Sequence, residues 1–389
     1  MKKFVFTLAL AAVCCNAIAQ SSSETSSKSS TLKSLSVPVS PAFSLTDITP
    51  TLVQNPTTPK SFALGVVQSV ANGGSYFPDN FSAQFAPVWW VDPEGISIYS
   101  YLGLTRPESG KVLDDTRQNI FSGLKFTSLS VGFINKDLIP DNIEKSQKVF
   151  SIGAHTTLLR AYHKDHTKAL NSAINSWHEH ALEDISSNQD LIDAISRLNA
   201  SDKNYQDQIN ALTEKMRIKL SAPDLKTIND LIIQKPVFAW DVSVATAGYG
   251  ISSDATKIGR SGVWTGLSLN LKLDKKATNY FSINALGRYL YDRYQVNDEN
   301  VIGKAHNLDA GGNLGFELNR LNIAVESLYR FTNGVSDSKN RTVGMISVKV
   351  SDNIFINGTF GKDFSGPNKL ISLFGINWGF GKEKVALPE

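Results

Sequence analysis

The strongest constraint on this chain is an alternation of apolar and polar residues with period two, repeated in segment after segment of its second half. In Val263 to Leu273, one side carries Val263, Thr265, Leu267, Leu269, Leu271 and Leu273, and the other carries Trp264, Gly266, Ser268, Asn270 and Lys272. The next segment sets Phe281, Ile283, Ala285, Gly287, Tyr289 and Tyr291 against Ser282, Asn284, Leu286, Arg288 and Leu290. The pattern returns over 308–318, 321–331 and 374–380. Successive side chains of a strand point to opposite faces, so each segment is a strand with one apolar face and one polar face.

A soluble β-sandwich also alternates. Three features favour a transmembrane barrel over it. The polar face is rich in Gly, Ser and Asn, with single charges Lys272, Arg288, Glu317, Glu326, Arg330 and Lys349 set among them, which suits a crowded or wet lumen. Aromatic residues gather near segment ends, at Trp89-Trp90, Tyr289-Tyr291, Tyr329-Phe331 and Trp378-Phe380, as interfacial girdles do. The segments are long enough for a tilted strand to cross the hydrocarbon layer, and beyond the N-terminus no apolar run reaches the ~18 residues that a helix would need. In lipid an open sheet edge cannot be satisfied, so the sheet must close.

Twelve segments are expected: 62–70, 81–90, 119–134, 149–161, 236–249, 262–273, 279–292, 306–318, 321–332, 341–351, 353–363 and 370–381. Tight connections at Asp274 to Thr278, Asn319-Arg320 and Asp352 alternate with longer ones at 293–305, 333–340 and 364–369. Short turns mark the periplasmic side of such barrels. Both termini then fall on that side, and the even strand count supports taking 62–70 as a strand.

The N-terminus reads as a secretory signal: Lys2 and Lys3, an apolar run from Phe4 to Cys15, then Ala17-Ile18-Ala19. Cleavage is expected after Ala19. Both cysteines, Cys14 and Cys15, lie inside the signal, so the mature chain carries neither disulfide nor Cys-bound metal; acylation is disfavoured because Ala11-Ala12-Val13 is not a lipobox. Without Lys2 and Lys3 the formal charge of +3 falls near neutral, and nothing points to nucleic acid. Residues 20–40 are Ser-rich, and 20–61 is expected as a disordered or extended periplasmic arm ahead of the barrel, 62–389.

Between His163 and Gln234 the period changes to helical. Leu170, Ile174, Trp177, Ala181 and Ile185 form one stripe, and Tyr205, Ile209, Leu212, Met216 and Leu220 form another. Asn199-Ala200-Ser201 should break the first helix, with Ser201 capping the second; Ser221 and Pro223 should open a third. The insertion, 163–234, joins the fourth and fifth strands and belongs on the periplasmic side as a helical hairpin. Leu170, Ile174, Trp177, Tyr205 and Leu212 are its candidate partner-docking residues.

Five of six histidines fall between 155 and 180. His163 and His166 are one helical turn apart, but His178 and His180 do not share a face, so solvated helix histidines are favoured over a metal site. His155 with Thr157, and Asp241 with Ser243, are the candidate pairs for nucleophilic chemistry, but neither spacing implies an activated geometry; His155 and Asp241 could face each other inside the lumen, yet ordinary lumen-lining polar residues are the simpler reading. No enzyme, cofactor or metal is expected.

The elements Ser40-Pro41-Ala42-Phe43, Pro56 to Pro59 and Phe85-Ala86-Pro87-Val88-Trp89-Trp90 resemble the start of Bacteroidota outer-membrane β-barrel proteins that carry an N-terminal Ser-Pro-Ala-Phe segment. That resemblance covers under a fifth of the chain, implies an outer-membrane barrel, and carries no catalytic residue across. The terminal strand LFGINWGFG is similar to the signal read by the barrel-assembly machinery, although Lys382 to Glu389 follow it. The expectation is an all-β transmembrane barrel of about twelve antiparallel strands in the cell outer membrane, in contact with its lipid, serving as a passive pore or a binder of small solutes. In the alternative, the barrel anchors a hairpin that engages a periplasmic protein or the cell wall. The mixed lumen charges leave an open and a blocked pore equally compatible with the sequence.

Overall fold

A computed structural model describes residues 29–31, 40–53, 58–69, 80–91, 96–104, 119–136, 147–252, 255–274, 279–296, 302–364, 370–381 and 383–386. The expected signal and its two cysteines lie outside this set, as does most of the Ser-rich arm. Twelve antiparallel strands close into one barrel. In chain order they are β1 (Phe62–Ser69), β2 (Asn80–Phe85), β3 (Ser128–Lys136), β4 (Gln147–Ala161), β5 (Phe238–Ser252) and β6 (Ala255–Lys272), followed by β7 (Asn279–Val296), β8 (Ile302–Leu318), β9 (Leu321–Thr332), β10 (Lys339–Ser351), β11 (Ile354–Lys362) and β12 (Leu370–Phe380). Every strand pairs with its neighbours in sequence, and β12 returns to β1 from Phe380↔Phe62 to Leu373↔Ser69.

The alternation sets the two faces as the sequence indicates. Val325, Leu314 and Leu267 point outward, and are 57%, 53% and 44% exposed. Their inward neighbours Glu326, Asn313 and Ser268 are buried. Among the described residues no helix is long and apolar enough to cross a membrane.

Two segments differ from expectation. The second strand stops at Phe85, because Pro87 follows and Val88–Val91 forms a helical turn. Trp89 therefore packs against Tyr101 and Phe126 rather than sitting on a strand. Residues Ile120–Phe126, expected as the start of a strand, form a 3-10 helix whose first turn is capped by the Asn119 side chain, which accepts from the Phe121 amide at 3.0 Å.

The tight turns gather at one end, where Asn319 adopts a left-handed conformation (φ 55°) to reverse the chain between β8 and β9. That end also carries a helical cap: α1 (Lys164–Ser187), α2 (Gln189–Ser196) and α3 (Tyr205–Ile232). The helix boundaries differ from those read in sequence. Asn188, not Asn199, makes the first break, and its side chain accepts from the Leu191 amide. The next helix starts at Tyr205 rather than behind Ser201. Pro223 does not open a third helix but lies inside α3, and its carbonyl accepts from Thr227 Oγ1 at 3.0 Å.

Leu170, Ile174 and Trp177 of α1 join Leu225, Ile228 and Ile232 of α3 in a second core. That core continues onto Ile98, Tyr101, Leu102, Phe126 and Val385. A three-stranded sheet of Ser29–Thr31, Lys384–Ala386 and Ile96–Ser97 belongs to the same end. The residues after the last aromatic strand, which depart from the assembly-signal pattern, are therefore used here as a sheet strand. Glu383 beside it accepts from the Ser61 amide at 2.8 Å and pairs with buried Lys60 at 3.3 Å, tying the tail to the start of β1.

Candidate functional site in the barrel lumen

The lumen is filled by the chain's own segment 40–53. Sequence reading placed it in an extended arm outside the barrel; the structure places Phe43, Leu45, Ile48, Leu52 and Val53 among inward side chains such as Trp264, Leu286, Leu290, Leu328 and Val343. The reason is visible in the residues: five apolar side chains within eleven positions cannot stay solvated while an apolar surface is within reach. Pro41 fixes the first turn of a short helix, Pro41–Ser44. Inward glycines make room for it. A Cβ at Gly153 would stand 2.9 Å from Pro41 Cβ, and one at Gly132 would stand 3.1 Å from Ala42 Cβ. Much of the glycine content of the inner face is thus space for this segment.

Its backbone polar groups are met by wall side chains, as a buried non-regular segment requires. Ser130 Oγ accepts from the Ala42 amide, and Ser151 Oγ donates to the Ala42 carbonyl. Arg288 Nη1 donates to the Ser44 carbonyl at 2.7 Å and Arg260 Nη1 to the Leu45 carbonyl at 3.1 Å. Arg341 Nη2 donates to the carbonyls of Thr49 and Pro50, and Asn313 Nδ2 to that of Val53.

Two ionic clusters hold it further. Glu326 Oε2 accepts from the amides of Leu52 and Val53, both at 2.9 Å, and from Thr51 Oγ1 at 2.8 Å, while Oε1 pairs with Arg341 Nε at 3.1 Å. Glu326 and Arg341 are fully buried, so Glu326 depends on Arg341 for its counter-charge, while Arg341 also has Asp363 at 3.6 Å. In the second cluster Asp47, in a left-handed turn conformation (φ 60°), projects between Arg260, Arg288 and Arg330. Asp292 and Asp309 hold those guanidinium groups from the wall. Arg330 also lies over the Phe364 ring, 3.9 Å from its centre.

The residues singled out in sequence separate here. Arg288, Glu326 and Arg330 face the lumen and contact the segment. Lys272, Glu317 and Lys349 sit towards the turn end of their strands, where Glu317 pairs with Lys235 and Lys349 with Asp352. Leu170, Ile174 and Trp177 are spent in the cap core, whereas Tyr205 and Leu212 are half-buried on α3. Missed by sequence reasoning were Asp47, Arg260, Asp292 and Arg341. Arg341 and Asp309 share the inward parity of their strands, a usable signal, but nothing local marks Asp47 as their counter-charge.

His155 and Asp241 do meet inside the barrel: Nε2 lies 3.3 Å from Asp241 Oδ1, which also accepts from Thr157 Oγ1 at 2.6 Å. Thr157 and His155 meet the same carboxylate oxygen rather than forming a hydroxyl–imidazole–carboxylate relay, and the three link β4 to β5. The histidines near 163 separate: exposed His163 caps α1 through the Asp165 amide, while buried His166 bonds the Leu231 carbonyl at 2.8 Å and stacks on Tyr162. His178 and His180 fall on α1 with side chains outside the described set. Among the described residues no group of His, Cys, Asp and Glu could hold a metal ion.

No family model matches the chain, and no curated protein does. Solved structures similar to it include the KdgM porin in complex with disordered oligogalacturonate, at 10% identity and a TM-score of 0.34, covering 82% of this chain and 99% of that one. A NanC porin aligns at 8% identity and 0.31, covering 82% and 98%, and a loop-deletion mutant of OmpT from Vibrio cholerae at 8% and 0.25, covering 83% and 92%. At these scores the description of the fold rests on the strand pairing itself.

Proposed function

We propose that the chain is an integral outer-membrane barrel for the passive passage or binding of small solutes, held closed by its own segment 40–53. The observation that carries this reading is the division of labour across the wall. The outward face is apolar around the barrel, as lipid contact demands, while the lumen is closed by a separate stretch of chain rather than by interlocking wall side chains alone. Such a stretch can leave without breaking a strand-to-strand hydrogen bond. Both of its flanks support withdrawal from one side: Ser29–Thr31 pairs with Lys384–Ala386, and Lys60 and Ser61 bond Glu383 beside it. The described residues on either side of it, 29–31 and 58–61, both lie at the cap end, so withdrawal towards that end need not thread the barrel. Following the rule that short turns face the periplasm, that end is the periplasmic one.

Planar-bilayer recording tests the reading. Refolded full-length protein should show rare, brief conductance steps, and a variant lacking 40–53 should show sustained ones. A heat-modifiable barrel lacking 40–53 that passes no current would overturn passage.

A further inference from the structure

The Asp47 cluster has the composition of a ligand site whose ligand is part of the chain. Both carboxylate oxygens are engaged: Oδ1 by Arg288 Nη2 at 2.6 Å and Arg330 Nη2 at 3.2 Å, Oδ2 by Arg260 Nη1 and Arg330 Nη2, each at 3.1 Å. Among the described residues the wall supplies those three cations and sets two carboxylates against them. Asp309 takes Arg288 Nε and Nη2 and Arg330 Nε at 2.9, 2.5 and 2.7 Å; Asp292 takes Arg260 Nε and Nη2 at 2.9 and 2.5 Å. The third negative charge comes from segment 40–53.

We propose that Arg260, Arg288 and Arg330 form a carboxylate-binding site of the lumen, occupied in the closed barrel by Asp47, and that its free ligand is a small organic monocarboxylate. The inference rests on the reading that segment 40–53 leaves the lumen. When it does, the three guanidinium groups keep two carboxylates, Asp292 and Asp309, because Glu326 and Asp363 pair with Arg341 instead, and one monoanion fills this local deficit. Guanidinium forks match the two oxygens of a planar carboxylate better than a single spherical anion. The inward neighbours one pleat away on the same strands, Leu290 beside Arg288 and Leu328 beside Arg330, are fully buried leucines that suit an organic substituent rather than a hydrated inorganic ion. Asp47 is thus a built-in competitor: solute carboxylate and closing segment claim the same three side chains.

The site can be tested without opening the barrel. Full-length Asp47→Ala, refolded in detergent, has space where the carboxylate stood. Formate or acetate present during refolding should raise its melting temperature in a concentration-dependent way, whereas acetamide, and chloride at matched ionic strength, should not. Wild-type protein, its site filled, should not respond, and adding Arg330→Gln to Asp47→Ala should abolish the response. No rise with carboxylate, an equal rise with chloride or acetamide, or a rise that survives loss of Arg330 would each overturn the proposal. Should Asp47→Ala fail to refold, the variant lacking 40–53 leaves the three arginines unoccupied. Equilibrium dialysis of that variant with labelled acetate then decides: retention above the chloride-competed level supports the site, and none overturns it. Conductance without carboxylate binding would remove this site and leave the pore reading intact. Binding without conductance would do the reverse.

Discussion

Glu326→Ala is the substitution that separates a segment held in the lumen from one merely lying there. In the closed barrel this carboxylate meets two backbone amides, one hydroxyl and the fully buried Arg341. Removing one member of a buried ion pair costs about 3–5 kcal/mol, because the surviving charge stays desolvated. The two amides add to that by losing a buried acceptor, at roughly 1–3 kcal/mol each and not additively. Once the segment withdraws, water reaches Arg341 and the amides, so most of this cost falls on the closed state. Against it stand five buried apolar side chains of the segment, worth about 1.5–3 kcal/mol each. The apolar contribution is the larger, so the segment should still reside in the lumen most of the time. Its transient withdrawal should nonetheless rise by roughly 10²–10⁴-fold, at 1.4 kcal/mol per factor of ten. The assay is limited proteolysis at Phe43 and Leu45 together with bilayer recording: faster cleavage and more frequent openings are expected, with heat-modifiable migration unchanged. If Glu326→Ala folds and both rates match wild type, the ionic anchoring of the segment is refuted.

Two further outcomes follow from particular contacts. Gly153→Val sets a branched side chain where a Cβ alone would be 2.9 Å from Pro41, so protease access to 40–53 should increase while the barrel, its strand pairing untouched, still forms; unchanged access would show that the turn at Pro41–Ser44 can shift freely. Burial of His166, only partly offset by its bond to the Leu231 carbonyl, lowers its pKa from the ordinary 6.5. The unfolded cap then binds the proton more readily than the folded one, so cap stability is fully present above 6.5 and falls as pH drops through the window beneath it. Hydrogen exchange of α1 and α3 should accelerate over that window, and His166→Phe should flatten the dependence; an equally steep dependence in the variant would assign it to other groups.

How much of this was legible beforehand varies with the range of the interaction. The alternation in 263–273 fixes which residues face outward, because the pleat converts parity directly into side. The irregular N-terminal strands were harder to place: Pro87 ends β2 early and residues 120–126 turn helical, since both pack on the cap, which is distant in sequence. Likewise, the stripe Leu170, Ile174, Trp177 was readable as buried or docking, but not against what. Its partners turned out to be α3 and the turns before β3.

The sequence by itself determined the barrel, its strand count, the identity of its two faces and the end that carries the helices. These follow from local periodicity and turn length, which act between near neighbours. Only the tertiary structure decided that the lumen is closed, and by what. Asp47 lies more than two hundred residues before Arg260, Arg288 and Arg330, and no local pattern couples a carboxylate in a Ser- and Pro-rich leader to three inward arginines. Their pairing becomes compulsory only when the strands close, because closure removes water from the arginines and leaves buried charge that one more anion must complete.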